Sequence, residues 1–349
     1  MSMHAEPEAE SLEPAFRRVG FHGRAGEYFG IWISNLFLSI VTLGIYSAWA
    51  KVRRIKYFYN NTMIQNFSFS YHATGKQILI GRLIAFAAIA VYSIVTTLFP
   101  LSAIPFSIAF VFLLPWLINR SLRFSARMTS WRNVRLNWHG TYGKSFLFFV
   151  VCPFVAVISL GTLVPLIARY TYRYFAESHA FGTTRFRADA TIAQYYKGFL
   201  AATVVPVVAA AGIGLLLTAL VGALGDGRLP VIQFVLFPIA AFLYLFQTMY
   251  RVVCRNILLR SLTLGEAATF DSRLNPLRVL WISISNALVT LVSLGLLFPW
   301  AMIRRYRYLA ENTGVNLTDA SHEFLDAETR NVGAFGQEFM DLEGIELGI

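Results

Sequence analysis

Seven stretches of the chain consist almost entirely of apolar residues and carry very few charges. Most of them have the roughly 17 to 25 residues that a helix needs to cross a bilayer. Charged residues are concentrated in the segments between them. This alternation predicts a polytopic helical membrane protein. The stretches are 28–50, 78–99, 102–118, 146–168, 199–224, 229–250 and 279–303.

Three of the stretches are interrupted by a Leu-Gly pair, the first of which is Leu43-Gly44. About sixteen residues separate Tyr28 from this pair, and as a helix they would span about 24 Å, less than the roughly 30 Å of hydrocarbon. Glycine can adopt the left-handed conformation that ends a helix, and Pro165 and Pro299, each four residues after a later pair, suit the first turn of a new helix. Each interrupted stretch is therefore predicted to form a short apolar helix, a turn and an interfacial helix with Lys, Arg, Tyr and Trp at the headgroup level.

The chain contains internal repeats. A shift of 117 residues aligns residues 21–81 with 138–198 without a gap, with 14 identities in 61 positions. The matches include the Leu-Gly pair, an aromatic-His-Gly turn and several aromatic residues. Ungapped matches of glycine and aromatic residues indicate that the second segment repeats the first.

A shift of 251 residues aligns a third copy, in which Asn35 corresponds to Asn286. Between copies, a pair of apolar stretches is followed by three arginines, at a constant offset of 128 residues. The chain therefore consists of two and a half copies of one membrane unit. The predicted organisation is a polar tail at 1–20; repeat 1 at 21–137, with a motif segment at 28–58 and a hairpin at 78–118; repeat 2 at 138–273, with a motif segment at 146–175 and a hairpin at 199–250; a half repeat at 274–312, with a motif segment at 279–309; and an acidic tail at 313–349.

Composition supports the membrane assignment and changes the interpretation of the charge. Hydrophobic residues make up 56% of the chain and charged residues 14%, against about a quarter in soluble domains. The net charge of +11 would favour nucleic-acid binding in a soluble protein. Here the cations lie between membrane stretches, where they orient the chain against anionic lipid, so no nucleic-acid partner is expected.

Two topologies remain open. If all seven stretches cross the membrane, the Lys and Arg residues divide 17 to 13 between the two sides. If only the two paired hairpins cross, one side holds 29 of the 30. The positive-inside rule favours the second arrangement, which puts both termini in the cytoplasm, whereas seven crossings would put them on opposite sides.

The apolar stretches contain no Asp, Glu or His, which disfavours a proton-coupled or cation-coupled transporter. Asn35 and Asn286 occupy equivalent repeat positions within these stretches. They can form packing hydrogen bonds between helices, or they can line a pore or solute cavity.

Arginine rows follow the apolar hairpins and the Leu-Gly motifs. Their spacing of four and five residues places the first row near one face of a continuing helix. Such rows either anchor the topology or bind phosphate groups of anionic lipid or another anionic ligand. The candidate contacts are Arg53, Arg54, Arg123, Arg127, Arg132, Arg251, Arg255, Arg260, Arg304 and Arg305.

No hydrolase, metalloprotease, nucleotide-binding or paired-carboxylate motif occurs in the sequence, so catalytic residues, cofactors and metals are not expected and an enzyme is disfavoured. The chain from Glu311 onward holds nine of the 19 acidic residues. This tail is predicted to be solvated, or alternatively to dock on the arginine-rich face by charge complementarity.

The residues TLGIYSAWAKVRRIKYFYNNT, followed by FSFSYHATGKQILIGR at 67–82, resemble the signature of the YjgN-like family of bacterial inner-membrane proteins. The resemblance covers nearly all of the chain after residue 15. It implies a location in the inner membrane of a Gram-negative type of bacterium, and a family whose function is not established, so it supplies no catalytic residues. The second copy departs from the pattern, with Leu166 in place of Trp49 and Tyr170-Thr171 in place of Arg53-Arg54.

The sequence thus predicts an all-α, polytopic inner-membrane protein with two and a half internal repeats. A channel or permease for a small neutral or anionic solute is one expectation, motivated by the repeat symmetry and the short broken helices. The alternative is a protein that binds anionic lipid or organises the membrane, without transport or catalysis. The oligomeric state cannot be derived from these patterns.

Overall fold

Helices dominate the protein. The computed structural model describes residues 17–224, 231–318, 321, 324 and 326–329. A 3-10 turn, Pro100–Ser102, joins α3 to α4, and a π-helical turn, Leu147–Val151, joins α5 to α6. The helices are α1 Ala25–Val41, α2 Ser47–Asn60, α3 Gly75–Leu98, α4 Ala103–Arg127, α5 Tyr142–Phe146, α6 Cys152–Ile158, α7 Val164–Ser178, α8 Ile192–Leu224, α9 Val231–Arg260, α10 Pro276–Val292 and α11 Phe298–Glu311.

The expectation of an all-α fold is wrong, because a ten-stranded antiparallel sheet accompanies the helices. Each strand pairs with its neighbour in the sequence, from β1 to β10. The strands have only two to five residues, too short to stand out beside the long apolar helices. They are β1 Gly20–Phe21, β2 Thr62–Ile64, β3 Phe67–Tyr71, β4 Thr129–Trp131, β5 Val134–Trp138, β6 His179–Phe181, β7 Thr184–Ala188, β8 Leu262–Leu264, β9 Ala268–Ser272 and β10 Thr313–Leu317.

The two edges of this sheet meet. Val19 N donates to Thr313 O at 2.9 Å, and Val315 N donates to Arg17 O at 3.0 Å, with a bridge between Arg18 and Gly314. The sheet therefore closes into a strand ring, our name for β1 to β10 with residues 17–19. Closure removes the exposed strand edges, which would otherwise pair with other chains. Residues 17–19 and 313–317, which the sequence analysis assigned to tails, form this closing contact.

The strand ring connects five helix pairs. The chain runs through a helix pair and then a strand pair four times, and the fifth helix pair, α10 and α11, leads into β10, whose partner is the N-terminal strand segment. Two successive helix pairs have the length of one predicted sequence repeat, and the fifth pair has the length of the half repeat. Because every helix pair joins neighbouring antiparallel strands, all the helix pairs project from the same end of the ring.

Local sequence explains the strand pairs. In β3, Phe67, Phe69 and Tyr71 alternate with serines, which is the period of a strand with one apolar face. The two-residue turn before β3 places Gln65 at φ +48° and Asn66 at φ +66°. Positive φ at both positions is the geometry of a type I′ hairpin, and asparagine tolerates it well.

Within the part of the chain that the structure describes, four helices are long and apolar enough to cross a membrane, and they form the two predicted hairpins. They are Gly75–Leu98, Pro100–Arg127, Ile192–Leu220 and Leu236–Arg260. The three helices that begin the Leu-Gly motifs are shorter apolar helices, Ala25–Val41, Tyr142–Ile158 and Pro276–Val292. The molecule therefore combines two long hairpins with three short ones, which we call the short hairpins.

Candidate functional site

The Leu-Gly pairs form the same turn in all three short hairpins. Gly44 N donates to Ser39 O at 2.7 Å and Leu43 N donates to Ile40 O at 3.1 Å, the bond pattern of a Schellman helix end. The glycines have φ of +83° to +90°, which confirms the predicted left-handed conformation. The structure adds that the preceding leucine is also left-handed. Its φ is +48° at Leu43, +49° at Leu160 and +50° at Leu294.

These leucines lie at the tips of the short hairpins and touch almost nothing. Leu43 is 95% exposed, Leu160 93% and Leu294 92%. Further exposed apolar side chains flank each tip. A non-glycine residue with positive φ carries backbone strain, and side-chain packing within the chain does not offset it here. The tips therefore present three apolar, sterically costly side chains to the surroundings.

Below the first tip, an arginine bonds to the predicted asparagine. Arg53 Nη1 donates to Asn35 Oδ1 at 3.2 Å and to Tyr46 Oη at 3.1 Å. Asn35 is 8% exposed, whereas Arg53 is exposed. The asparagine thus receives its bond from the second helix of its own short hairpin, as the packing alternative requires.

The same pair recurs in the third copy. Arg304 Nη1 donates to Asn286 Oδ1 at 3.0 Å and to Ser285 Oγ at 2.8 Å, and its guanidinium lies 5.2 Å from the ring centre of Trp300. Asn286 Nδ2 also donates to Ala301 O at 2.9 Å. In the second copy, the equivalent residues are Cys152 and Tyr170, so two of the three short hairpins carry the pair.

The two Arg–Asn pairs belong to neighbouring hairpins. Helix α1 packs against α11, and the rings of Trp32 and Phe298 lie 6.4 Å apart. A groove of about 550 Å³ beside α10 and α11 has Asn286 and Arg305 among its wall residues. Asn35 is not among the residues of this wall, so a path lined by both asparagines stays a prediction.

The predicted arginine row at the end of α4 and in the turn that follows β4 lies near the strand ring. Arg123 and Arg127 are exposed in the last turns of α4, and Arg132 lies in the β4–β5 turn, 4.5 Å from the ring centre of Phe67. Burial, and then Arg185, Arg123 and Arg127 in turn, lower the pKa of His139 below its ordinary value of 6.5. The row therefore forms, with Arg185, a positive cluster that favours the neutral form of His139; Arg185 was not among the predicted site residues.

The row in α9 is partly structural. Arg255 donates to Ser272 Oγ at 3.4 Å and to Thr313 Oγ1 at 3.0 Å, and Arg260 donates to Ser272 O at 3.0 Å. These bonds tie α9 to β9 and β10. Arg251 is exposed, as are Arg54 and Arg305 in the motif helices.

A second polar site, which was not among the predicted site residues, lies at the far end of the strand ring and includes Glu328 of the acidic tail. Glu328 is 3% exposed and accepts three hydrogen bonds of 2.8 Å, from Thr183 N, Thr183 Oγ1 and Thr184 Oγ1. The residues are about 145 positions apart, and no local pattern links them. The acidic tail thus contacts a threonine turn at this position. For the described residues, no group of three or more His, Cys, Asp or Glu side chains could hold a metal ion.

The helix pairs, the four membrane-length helices and the apolar tips together define a polytopic helical membrane protein. A family model described as bacterial protein of unknown function, DUF898, matches residues 16–342. The chain belongs to this family, as the resemblance to YjgN-like proteins implied.

Two similar proteins are named as inner-membrane proteins, in agreement with the membrane assignment. Inner membrane protein YjgN of Salmonella typhimurium is 24% identical over 344 residues, which cover 84% of this chain and 87% of that protein. Inner membrane protein YjgN of Escherichia coli O157:H7 is 31% identical over 144 residues, 41% of this chain and 36% of that protein. No solved structure matches the chain. The chain is accordingly an inner-membrane protein of an uncharacterised family.

Proposed function

We propose that the protein binds anionic phospholipid and organises the membrane around the strand ring, without a catalytic step. The observation that carries the proposal is the combination of a fully exposed apolar tip with an Arg–Asn pair below it. The tips supply a hydrocarbon contact, and the arginines supply a phosphate contact.

Helix lengths support a shallow insertion of the short hairpins. Arg53 lies six residues into α2, so it is about 9 Å from the tip turn, and Arg304 lies at the same distance in α11. One leaflet of hydrocarbon is about 15 Å thick. With its guanidinium at the headgroup level, each tip therefore ends within one leaflet, whereas α3, with 24 residues, extends about 36 Å and crosses.

The strand ring supports one orientation of the molecule. Residues 17–19, where the described chain begins, meet β10 in the ring. Their meeting supports the arrangement in which only the two long hairpins cross, with 29 of the 30 Lys and Arg residues on one side. We infer that the ring and both ends face the cytoplasm. Reporter fusions at Met1 and Ile349 test the inference, and opposite faces would contradict it.

Lipid retention tests the proposal directly. We expect native mass spectrometry of the protein released from phosphatidylglycerol nanodiscs to show bound anionic lipid. The double variant Arg53→Gln, Arg304→Gln should lose part of it, because a basic residue near the surface contributes about 1 kcal/mol of attraction.

The matched control is Arg173→Gln. It removes one positive charge, as each of the two substitutions does, but from the second short hairpin, which has no Arg–Asn pair; Arg173 is bonded to Glu177 at 2.7 Å. We expect it to retain the lipid. Equal retention by the double variant and the parent, or no bound anionic lipid in the parent, would refute the proposal.

A second candidate is a passage for a small neutral or anionic solute, favoured by the position of Asn286 on the wall of the 550 Å³ groove. Liposome flux assays with Asn286→Leu test it, with Asn35→Leu as the matched variant in the neighbouring hairpin. Flux that depends on Asn286 would support the passage. The absence of flux for a panel of ions and metabolites would count against it.

A further inference from the structure

The strand ring lines a partly open cavity of about 210 Å³ at the end away from the helices. Its wall contains apolar side chains from nine strands, among them Phe69, Leu136, Phe186 and Phe270. Cavities of this size and lining stay dry and accept compact apolar molecules of about the size of benzene. The cavity therefore suits an apolar ligand better than water.

The C-terminal segment covers this cavity. Ser321, Phe324 and Glu328 follow helical spacing and lie on one face of the segment. Ser321 and Phe324 are part of the cavity wall, and the ring of Phe324 stacks on that of Phe181 at a centre distance of 6.3 Å. The exposed Asp326 and Ala327 lie on the other face.

The turn between β6 and β7 holds the C-terminal segment through Glu328. Gly182 has φ +60°, and a Cβ atom at this position would clash with Glu328 Oε2. The missing side chain lets the carboxylate reach Thr183 and Thr184, which together supply three donors to its two oxygens. These three hydrogen bonds hold Glu328, with no cation paired to its carboxylate among the described residues.

We propose that the strand ring is a binding site for a compact hydrocarbon ligand and that the segment bearing Phe324 and Glu328 is its removable stopper. The ligand enters from the aqueous side, because the stopper lies at the strand turns, opposite the ends that join the helices. The proposal is independent of the lipid contacts of the short hairpins.

Two glycine variants test the stopper. Gly182→Ala introduces the clash with Glu328 together with the strain of positive φ. Gly265→Ala, at φ +53° in the β8–β9 turn, introduces similar strain, but its Cβ would meet only Thr184 Cγ2, at 3.9 Å. We expect amide exchange at Thr183 to rise about tenfold in Gly182→Ala, which corresponds to the loss of one hydrogen bond, and to stay near the parent rate in Gly265→Ala.

Benzene tests the cavity. In nanodiscs, benzene should shift the methyl NMR signals of Leu136 and Leu264, which lie in the cavity wall. Exchange of benzene should be faster in Gly182→Ala than in the parent or Gly265→Ala. If Gly182→Ala does not fold, Glu328→Gln replaces it as the test variant. This substitution weakens the hydrogen bonds to Thr183 and Thr184 without backbone strain, and it should also make benzene exchange faster than in the parent. Unshifted methyl signals in every variant, or equally fast exchange in the two glycine variants, would overturn the proposal.

Discussion

Replacing Leu43 by asparagine should destabilise the protein in a bilayer, although the backbone favours the replacement. Leu43 has φ +48°, and this left-handed conformation costs a residue with a branched side chain about 1–2 kcal/mol. Asparagine tolerates the conformation better and should recover up to about 1 kcal/mol of that strain. In water this gain would decide the outcome, because the 95% exposed leucine makes almost no protein contacts to lose.

In a lipid bilayer, the expected effect of Leu43→Asn on stability has the opposite sign. A leucine side chain buried in hydrocarbon contributes about 1.5–3 kcal/mol, and an amide placed there without a partner costs roughly 2 kcal/mol or more. If the tip lies within a leaflet, the net effect of Leu43→Asn is a loss of at least about 2 kcal/mol. The same sign is expected at Leu160 and Leu294, whose φ and exposure are nearly identical.

Equilibrium unfolding in phospholipid bicelles, followed by tryptophan fluorescence, measures the difference. Gln65→Asn is the control, because Gln65 has the same φ of +48° but lies in the β2–β3 turn of the strand ring. It should be neutral or slightly stabilising. If Leu43→Asn is as stable as the parent, or more stable, the tip is not in hydrocarbon and the shallow-insertion argument fails.

Two further predictions concern the strand-ring end of the helices. Burial and neighbouring arginines lower the pKa of His139, so the unfolded chain binds a proton at this side chain more readily than the folded protein does. The free energy of unfolding should therefore fall as the pH drops below about 6.5. In His139→Gln, the free energy of unfolding should change less between pH 7 and pH 5 than it does in the parent. An unchanged pH profile would contradict this. Gly75→Ala should cost about 1–3 kcal/mol in the same assay, since its Cβ would overlap the ring of Trp49, whereas Gly81→Ala, with open space around its Cβ, should be neutral or stabilising by up to about 1 kcal/mol. Equal effects of the two glycine variants would show that Trp49 does not pack closely on α3.

The helical part of the molecule was predictable because its signals are local. Apolar length defined the two long hairpins, and the Leu-Gly pairs defined where the short helices end. Pro165 and Pro299 occupy the first turns of α7 and α11, as their spacing indicated. Each of these features depends on residues within a few turns of one another.

The strand ring was missed although part of its signal was present. The alternation in FSFSY and the Gln65-Asn66 turn are hairpin signals, but they lie in five-residue strands between long apolar helices. A strand pair of this length is not stable alone and gains its stability from neighbouring strands about 40 to 60 residues away. Pairing of that kind is not visible in any local window.

The sequence alone therefore determined which helices are long and apolar enough to cross a membrane and where the short helices end, since apolar length and glycine or proline positions act within a single helix. The tertiary structure decided the closure of the strand ring, the Arg–Asn bonds and the position of Glu328 on the threonine turn. The ring closure and the Glu328 contact join residues that lie far apart in the chain, and the Arg–Asn bonds form only when the two helices of a short hairpin pack together.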